Sequence, residues 1–568
     1  MTTTRLALLV RVLVALCTRT FFQPDEYFQS LEPAHHAVFG YAHLTWEWLA
    51  PKPIRSIFYP ALNIPIFWAL KTSGLAETPL IGDWLLVYSP RILHGILAAA
   101  TDIWLCEVTR RWLGSQYVST ALFLSLTSFF HALSLSRSLS NSLETSLTTI
   151  ALAYYPWDAS SKLSPQLIYN SSRIRKALIF AALACMVRPT NAVIWLYLFG
   201  RLFWSLRTSR RTATALLFQT VSIGSIAVLS LFVFDSLYYQ KPTFTPVNFL
   251  LTNLSSVSLF YGFNTWHYYF TQALPILCAT ALPFVLHGMW LTVSDRHSVA
   301  LRNMLNTLIW SVGVYSMAGH KEWRFVHPVL PLLHIFAAKS LVDLSAGSSK
   351  KSKNSPSKQR AVPSSILQEF KRRLPPIRRR FLILLSLTIP ASVYVVFFYC
   401  SAPISVLSYI RSLPAAELQS GGIGFLMPCH STPGHAYLHR EYLARGKMWA
   451  LGCEPPLQNQ NLTTYHDQTD VFFQSPLGYL QSRFPSRVNT SFPPSPFPTS
   501  VPGAPAPEGY PWAHEWPRYL VFFGALLEQE GVRTLLEAKG YREVWKKGRE
   551  WEGEGHRKGG VRVWKWSG

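Results

Sequence analysis

The sequence predicts a polytopic α-helical membrane protein, with about 9–12 transmembrane helices, followed by a smaller α/β domain. Hydrophobic residues make up 49% of the 568 residues and charged residues only 14%, whereas a typical soluble protein has about 25% charged residues. The apolar residues are gathered in long runs separated by short polar stretches, which is typical of a chain that crosses a membrane repeatedly. The 20 Trp and 25 Tyr fit aromatic belts at the two membrane–water interfaces.

The apolar runs are about as long as a spanning helix, which needs roughly 20 residues. They fall near 6–22, 82–105, 117–135, 142–156, 177–200, 213–235, 270–292, 304–318, 325–343 and 380–400. The first run carries Arg11 and has no small-residue cleavage site after it, so we interpret it as a retained span in which Arg11 snorkels or faces protein. Arg188-Pro189 interrupts the run 177–200, and proline disfavours a helical residue before it. We therefore expect short broken helices or a re-entrant pair there.

Charge patterning sets the predicted orientation. The net charge of +24 is a possible sign of nucleic-acid binding, but the basic residues cluster in loops, as the positive-inside bias requires. We therefore expect no nucleic-acid partner. The prediction is a multi-span catalytic domain over 1–400, with a lumenal loop at 23–80 and a cytosolic basic loop at 345–380. The turn at 319–324 and the chain after about residue 400 then face the lumen.

The region 401–568 is hydrophilic and predicts a separate lumenal α/β domain. Two apolar segments, 422–427 and 519–523, are interpreted as buried strands. A helix is predicted over 528–538 and a last strand over 561–564. The stretch 485–512 is rich in Pro and Ser, which predicts an irregular insertion. Cys429 and Cys453 would pair if this region faces an oxidising compartment. Glycosylation sequons on segments predicted to be lumenal lie at Asn253, Asn461 and Asn489.

The segment after the first span carries the most informative polar residues. Pro24 suits the first position of a helix. Four polar residues on that helix recur at spacings of four, three and four, and so share one face: Asp25, Gln29, Glu32 and His36. We expect Pro33 to bend or end the helix before His36. Such groups at a membrane surface are costly unless they are used, which favours catalysis or substrate binding. The alternative is an ordinary helix start, in which Asp25 and Glu26 complement the helix dipole.

A second polar segment, 319–328, lies between two spans. It offers imidazole, ammonium and guanidinium donors from His320, Lys321 and Arg324, which suit a phosphate leaving group at the membrane interface. The alternative is a snorkelling charge cluster with an internal Lys/Glu pair. A third segment places Arg137, Asn141 and Glu144 on one helical face, for which we favour a structural network between helices over a substrate site.

These motifs together resemble a known family. The pattern Phe-x-Pro-Asp-Glu-x-x-Gln-x-x-Glu at 22–32, with Thr-Trp-Glu-Trp at 45–48 and His-Lys-Glu-x-Arg-Phe at 320–325, is similar to the dolichyl-phosphate-mannose-dependent α-mannosyltransferases of the endoplasmic reticulum. The resemblance covers about 20–343 and implies the type C glycosyltransferase fold. The segment 425–433, with Cys-Glu-Pro at 453–455, resembles the subfamily that adds the third, α1,2-linked mannose to the glycosylphosphatidylinositol (GPI) precursor.

The resemblance implies a reaction and roles for particular residues. The donor is dolichyl phosphate mannose, the acceptor is the GPI precursor glycolipid, and transfer inverts the configuration at the sugar in the lumen of the endoplasmic reticulum. The general base maps onto Asp25 or the adjacent Glu26, and the sequence leaves that choice open. Candidate ligands of the donor phosphate and the substrates are His320, Lys321, Arg324, Arg137, Gln29 and Glu32. No cofactor or metal ion is expected, because a lipid phosphate is a leaving group that side-chain cations can stabilise.

Two other functions remain open. A related enzyme would add mannose to the dolichol-linked N-glycan precursor, or the fourth mannose to the GPI anchor. A more remote alternative is a multi-span transporter, for which inverted repeats and broken helices around a midplane site would be expected.

Overall fold

The structure is a computed structural model that describes residues 2–159, 163–255, 257–294, 298–351, 375–457, 464–495 and 512–568. Three features of the sequence lie outside the described residues: Asn461, positions 352–374 of the predicted basic loop and positions 496–511 of the predicted insertion.

Helices make up most of the chain before the predicted α/β domain. Their bounds are Thr3–Cys17, Glu32–Phe39, Trp46–Leu49, Ile64–Thr72, Ile81–Trp112, Ser115–Leu126, Ser140–Tyr154, Pro165–Ile168, Ser171–Val187, Ala192–Leu206, Arg210–Tyr239, Thr245–Leu254, Val257–Phe260, Leu274–Cys278, Leu282–Ser294, Val299–Ser316, Leu330–Lys351, Arg379–Ser386, Thr388–Phe397, Ala402–Ser412 and Ala415–Gly421. Three π-helical turns, Tyr27–Leu31, His131–Leu135 and Tyr269–Ala273, interrupt this series.

The multi-span membrane fold predicted from the sequence is confirmed. Among the described residues, five helical stretches are long and apolar enough to cross a membrane: Ile81–Trp112, Arg210–Tyr239, Tyr269–Ser294, Trp323–Ala346 and Arg379–Ser412. The stretch 210–239 exposes large apolar side chains such as Phe218, Ile226 and Leu237, as a lipid-facing helix does. The N-terminal helix has 15 residues, about 22 Å at 1.5 Å per residue, so the count of nine to twelve spans stays a prediction.

The described chain divides into two compact units. The first comprises 1–16, 91–230 and 263–394, and the second comprises 17–90, 231–262 and 395–568. In the first unit, Arg11 is fully buried and donates two hydrogen bonds to the carboxylate of Asp102, at 2.7 and 2.9 Å. Of the two alternatives for Arg11, the structure therefore shows the one in which it faces protein, because a buried cation needs an anionic partner.

The expected interruption at Arg188-Pro189 is confirmed in the first unit. One helix ends at Val187, Pro189–Asn191 form a 3-10 turn, and the next helix begins at Ala192. Proline at the first position of the turn removes a backbone donor that a continuous helix would need. The apolar run 177–200 is therefore divided between two helices.

The second unit contains a five-stranded mixed sheet in the order β2-β1-β3-β5-β4. Its strands are Ile423–Phe425 (β1), Met448–Ala450 (β2), Tyr519–Phe523 (β3), Tyr541–Lys547 (β4) and Val561–Trp566 (β5). β1 is parallel to β2 and β3, whereas β5 is antiparallel to β3 and β4. The predicted strands are confirmed as β1, β3 and β5, and the predicted helix corresponds to Val532–Ala538. Further short helices of this region are His435–Leu438, Gln468–Gln474 and Pro476–Arg483, with the 3-10 helices Glu441–Leu443, Gly524–Glu528 and Gly555–Arg557.

Strand β3 is buried on both faces because helices and loops cover both sides of the sheet. Tyr519, Val521 and Phe523 pack into one apolar cluster, and Leu520 and Phe522 pack into another. The first cluster also contains Tyr27, Phe28 and Leu31 of the segment after the first helix, so that segment packs within the same unit as the sheet. The sequence boundary near residue 400 is close to Val395, where the second unit resumes.

Candidate active site

The segment carrying Asp25 begins with one α-helical turn, widens into the π-helix Tyr27–Leu31 and continues as the helix Glu32–Phe39. Of the two outcomes expected for Pro33, a bend or an end of the helix before His36, the end was wrong, because the helix continues to Phe39. Pro33 lies in the first turn of the second part, and the wider π-turn before it accommodates the missing donor and the ring. The α-helical spacing that placed the four polar residues on one face therefore does not hold through 27–31.

Asp25 is half-buried and Glu26 is buried at the start of this segment. Aromatic rings fix the residues around them: Tyr27 stacks on Phe21 at 5.4 Å between ring centroids and meets the edge of Tyr437 at 5.2 Å. Of the two acidic side chains, Asp25 is the more exposed. It is therefore the one better placed to meet a substrate.

Gln29 joins a polar group that the sequence pattern did not identify. Its side-chain amide donates to a carboxylate oxygen of Glu47 at 3.0 Å, and Arg55 donates to the other oxygen at 2.9 and 2.6 Å. Nearby, the indole of Trp46 donates to the hydroxyl of Tyr261 at 2.8 Å. Glu47 belongs to the Thr-Trp-Glu-Trp motif, but no periodicity in the sequence marks Arg55 as its partner.

Glu32 is fully buried and is bound by backbone amides. One carboxylate oxygen accepts from the amide of His43 at 2.8 Å and the other from the amide of Ala436 at 2.7 Å. Burial raises the pKa of Glu32 to about 7, and the hydrogen bonds from backbone amides oppose that rise only in part. This geometry fits a carboxyl that positions its own segment against the 434–436 turn.

In the first unit, the turn at 319–322 follows the helix Val299–Ser316 and precedes the 3-10 helix Trp323–Val329, where the candidate span Trp323–Ala346 begins. Its position between two spans stays a prediction. Lys321 is buried, its ammonium donates to the carbonyl of Asn264 at 2.6 Å, and the amide of Asn264 donates back to the carbonyl of Lys321 at 2.8 Å. Among the described residues, no carboxylate forms a salt bridge with Lys321. Burial lowers the pKa of Lys321.

The other two basic residues of the turn share one carboxylate. Glu322 accepts from Arg324 at 2.7 and 2.8 Å, and an imidazole nitrogen of His320 lies 3.3 Å away. Burial tends to raise the pKa of Glu322, but the guanidinium of Arg324 and the imidazole of His320 outweigh burial and lower it. The internal ion pair expected for this turn therefore joins Glu322 to Arg324 instead of Lys321.

The third segment forms the expected network between helices. Glu144 accepts from Asn191 at 2.8 Å and from Asn141 at 3.5 Å, and lies 3.3 Å from Arg188. Arg137 is buried and donates to the carbonyl of Leu133 at 2.6 Å. Asn141 and Glu144 thus have structural partners, and Arg137 is held at the end of a π-helical turn.

Among the sequence-predicted residues, the structure links His320 with Arg324 through Glu322, and Gln29 with Glu47. Glu32 does not share the partner of Gln29, because it binds backbone amides whereas Gln29 binds Glu47. Asn264 and Arg55, which hold Lys321 and Glu47, were missed because they lie far from the motifs and carry no spacing signal.

The fold defines the class of protein first. The chain resembles ArnT from Cupriavidus metallidurans in the apo state, with a TM-score of 0.50 and 11% identity over 99% of this chain and 96% of that chain. At that identity the likeness concerns the fold alone, and it confirms a multi-span type C glycosyltransferase fold.

The particular family follows from the sequence. The model of the Alg9-like mannosyltransferase family matches residues 2–439, and the chain belongs to that family. It is 33% identical to the GPI mannosyltransferase 3 of Yarrowia lipolytica, with 85% of this chain and 83% of the relative covered. It is 32% identical to the GPI alpha-1,2-mannosyltransferase 3 of Danio rerio, with 84% and 79% covered. The protein is thus a multi-pass membrane mannosyltransferase.

Proposed function

We propose that this protein transfers the third, α1,2-linked mannose from dolichyl phosphate mannose to the GPI precursor in the endoplasmic reticulum membrane. The supporting observation is the match over about four fifths of the length of relatives that bear this activity in their names. The match continues past residue 400, into the region whose 425–433 motif first suggested the third-mannose subfamily.

The proposed chemistry is a single displacement with inversion. A β-mannosyl phosphate donor gives an α-mannoside when the acceptor hydroxyl attacks the anomeric carbon from the face opposite the phosphate. The hydroxyl proton passes to a carboxylate as the new bond forms, and the carbon–oxygen bond to the lipid phosphate breaks. We assign the base to Asp25, because it is partly exposed whereas Glu26 is buried.

The leaving lipid phosphate needs cationic donors. We assign this role first to Lys321, for which no described carboxylate forms a salt bridge, and then to Arg324 and His320, whose charge Glu322 offsets. Arg137 is a further candidate. Since the departing group is a phosphate monoester, side-chain cations suffice to stabilise it. Gln29 and Glu32 then act by positioning the segment that carries Asp25.

The decisive experiment is the analysis of mannose-labelled lipids in cells depleted of this protein. The proposal predicts a GPI precursor that stops at two mannoses, and rescue by the wild-type chain but not by Asp25→Asn. A precursor that stops at three mannoses would indicate the fourth-mannose enzyme instead. Normal GPI lipids with truncated dolichol-linked N-glycans would indicate the N-glycan enzyme.

A second experiment tests the lumenal orientation. The chemistry requires that the loop 23–80 and the turn 319–324 both face the lumen. Single cysteines introduced into each loop should resist a membrane-impermeant maleimide in sealed microsomes and react after the membrane is permeabilised. A loop that reacts in sealed microsomes would contradict the mechanism. In a separate assay, a protein that moves mannosyl lipid across the membrane without forming a glycoside would indicate a transporter.

A further inference from the structure

Two clefts in the second unit share a basic residue that the proposed mechanism does not use. The larger has a volume of about 530 Å³, and its lining includes Asp470, Phe473, Gln474, Glu554, His556 and Arg557. The smaller has a volume of about 250 Å³ and is lined mainly by apolar side chains, including Phe21, Tyr399 and Phe523. Glu554 and Arg557 line both clefts, so a ligand at Arg557 has access to a polar space and to an apolar one.

Arg557 lies in the connection between β4 and β5. Its Nε lies 3.5 Å from the hydroxyl of Ser431, which itself donates to the carbonyl of Pro428 at 2.5 Å. Among the described residues, no carboxylate forms a salt bridge with Arg557. Arg562, on β5, is different, because it pairs with Glu543 and Glu550. A guanidinium that forms no salt bridge with a described carboxylate, and that two clefts reach, suits a phosphate group.

The larger cleft has the side chains that a glycan needs. The rings of Phe473 and His556 stack at 4.2 Å between centroids, which provides an aromatic surface. The carboxylates of Asp470 and Glu554 and the amide of Gln474 offer hydrogen-bond acceptors and donors to sugar hydroxyls. The volume lies within the range of small-molecule sites and exceeds the size of a single hexose.

The smaller cleft lies beside a membrane-spanning segment and the segment after the first helix. Tyr399 belongs to the candidate span Arg379–Ser412, and Phe21 stacks on Tyr27, two residues beyond Asp25. An amphipathic ligand lying across both clefts would therefore have its apolar part beside a span and its polar part beside the sheet.

We infer that the two clefts bind the glycolipid acceptor, with its lipid-linked phosphate on Arg557, its glycan in the larger cleft and the lipid-proximal part in the smaller. This inference rests on the proposed function. The donor also carries a lipid phosphate, but it bears one sugar, and the polar cleft is larger than one sugar fills. The acceptor is therefore the ligand that fits the site.

The test is a kinetic comparison in which purified full-length enzyme in phospholipid nanodiscs is supplied with dolichyl phosphate mannose and a dimannosyl GPI precursor. Arg557→Gln should raise the KM for the acceptor about tenfold, because a charge-assisted hydrogen bond to phosphate is lost. Its KM for the donor and its kcat should stay within about twofold of wild type. Phe473→Ala should raise the acceptor KM as well. Arg562→Gln is the matched control, because it removes the charge of the paired arginine on the adjoining strand, and it should leave both KM values unchanged.

The outcomes separate this inference from the proposed function. Wild-type enzyme that does not use the GPI precursor contradicts the proposed function, and the inference with it. Wild-type enzyme that uses the precursor, with an unchanged acceptor KM in Arg557→Gln, contradicts the inference alone. A raised donor KM in that variant assigns Arg557 to the donor phosphate and also contradicts it. If Arg557→Gln does not fold, Arg557→Lys and Phe473→Ala provide the same comparison, with an intermediate rise expected for the lysine.

Discussion

A buried glutamate, Glu32, and a half-buried one, Glu322, show how partners decide the charge of a carboxyl group in this protein. Glu32 is held by the backbone amides of His43 and Ala436, and its pKa is raised to about 7 because burial outweighs those hydrogen bonds. Burial also acts on Glu322, but Arg324 and His320 outweigh it and lower its pKa. Neutral donors therefore leave a buried carboxyl close to protonation, whereas a full cation keeps it ionised.

The comparison indicates which groups in each region are available for chemistry. At 319–324, the ionised Glu322 offsets Arg324, so Lys321 is the cation without a salt bridge to a described carboxylate. In the segment after the first helix, Glu32 is buried and bound by backbone amides, whereas Asp25 is partly exposed. Substitutions of Asp25 and Lys321 should therefore change turnover, whereas a substitution of Glu32 should change stability.

The largest effect is expected for Asp25→Asn, which keeps the size of the side chain and removes the base. We expect kcat to fall by about 10²- to 10⁴-fold, with little change in melting temperature. Glu26→Gln is the matched control on the neighbouring residue and should reduce kcat far less. If Glu26→Gln is instead the inactive variant, the two roles are exchanged, and exposure is the wrong criterion for the base.

A smaller effect is expected for Lys321→Gln, which removes the ammonium from the basic turn. Loss of a charged donor to the leaving phosphate should lower kcat/KM by about ten- to a hundredfold. Arg324→Gln should lower the melting temperature more than Lys321→Gln does. The reason is that it leaves Glu322 without its main cation. Equal activity in Lys321→Gln and wild type would remove Lys321 from the mechanism.

A stability effect is expected from loss of the disulfide between Cys429 and Cys453, which are 24 positions apart in the sequence. This bond tethers the loop that leads to the 434–436 turn, and that turn supplies an amide to Glu32. Replacing both cysteines by serine should cost about 2–4 kcal/mol of stability while leaving kcat near wild type below the melting transition. Cys400→Ser is the matched control at a free cysteine. An unchanged melting temperature in the double variant would show that packing alone holds the loop.

The fold was predictable from the sequence wherever a physical requirement leaves a residue pattern, such as a long apolar run or a proline. The predicted apolar run 213–235 corresponds to the candidate span Arg210–Tyr239, because a membrane requires a helix of that length. Pro189 follows the end of a helix because proline lacks a backbone donor. Strand β3 shows no alternation of apolar and polar residues, because a strand that is covered on both faces is apolar at every position. Strands β2 and β4 were missed: β2 has three residues, and most of β4 is exposed.

The candidate site was predictable by motif but not by geometry. The Pro-Asp-Glu and His-Lys-Glu-x-Arg motifs indicated Asp25 and Lys321 because charged groups at a membrane surface are costly unless they are used. The π-turn at 27–31 could not be foreseen, since α-helical spacing was the only rule available, and it separates Gln29 from Glu32. The partner Ala436 lies far along the chain from Glu32, and no local pattern connects residues at that separation.

The smallest effect, and the sharpest test of the comparison, concerns Glu32→Gln. Glutamine keeps one acceptor but turns an NH₂ group toward a backbone amide, so we expect a loss of about 1–3 kcal/mol of stability with kcat retained.

The sign of the pH dependence then follows from the pKa of about 7 in the folded protein and the ordinary value of 4.5. A carboxyl whose pKa is raised by folding contributes its stability fully below about pH 4.5 and loses it as the pH rises through 7. The melting temperature of wild type should therefore exceed that of Glu32→Gln most at pH 5, and the difference should narrow by pH 8. A difference that widens with pH would mean that the backbone donors outweigh burial, so that Glu32 is ionised in the fold as Glu322 is.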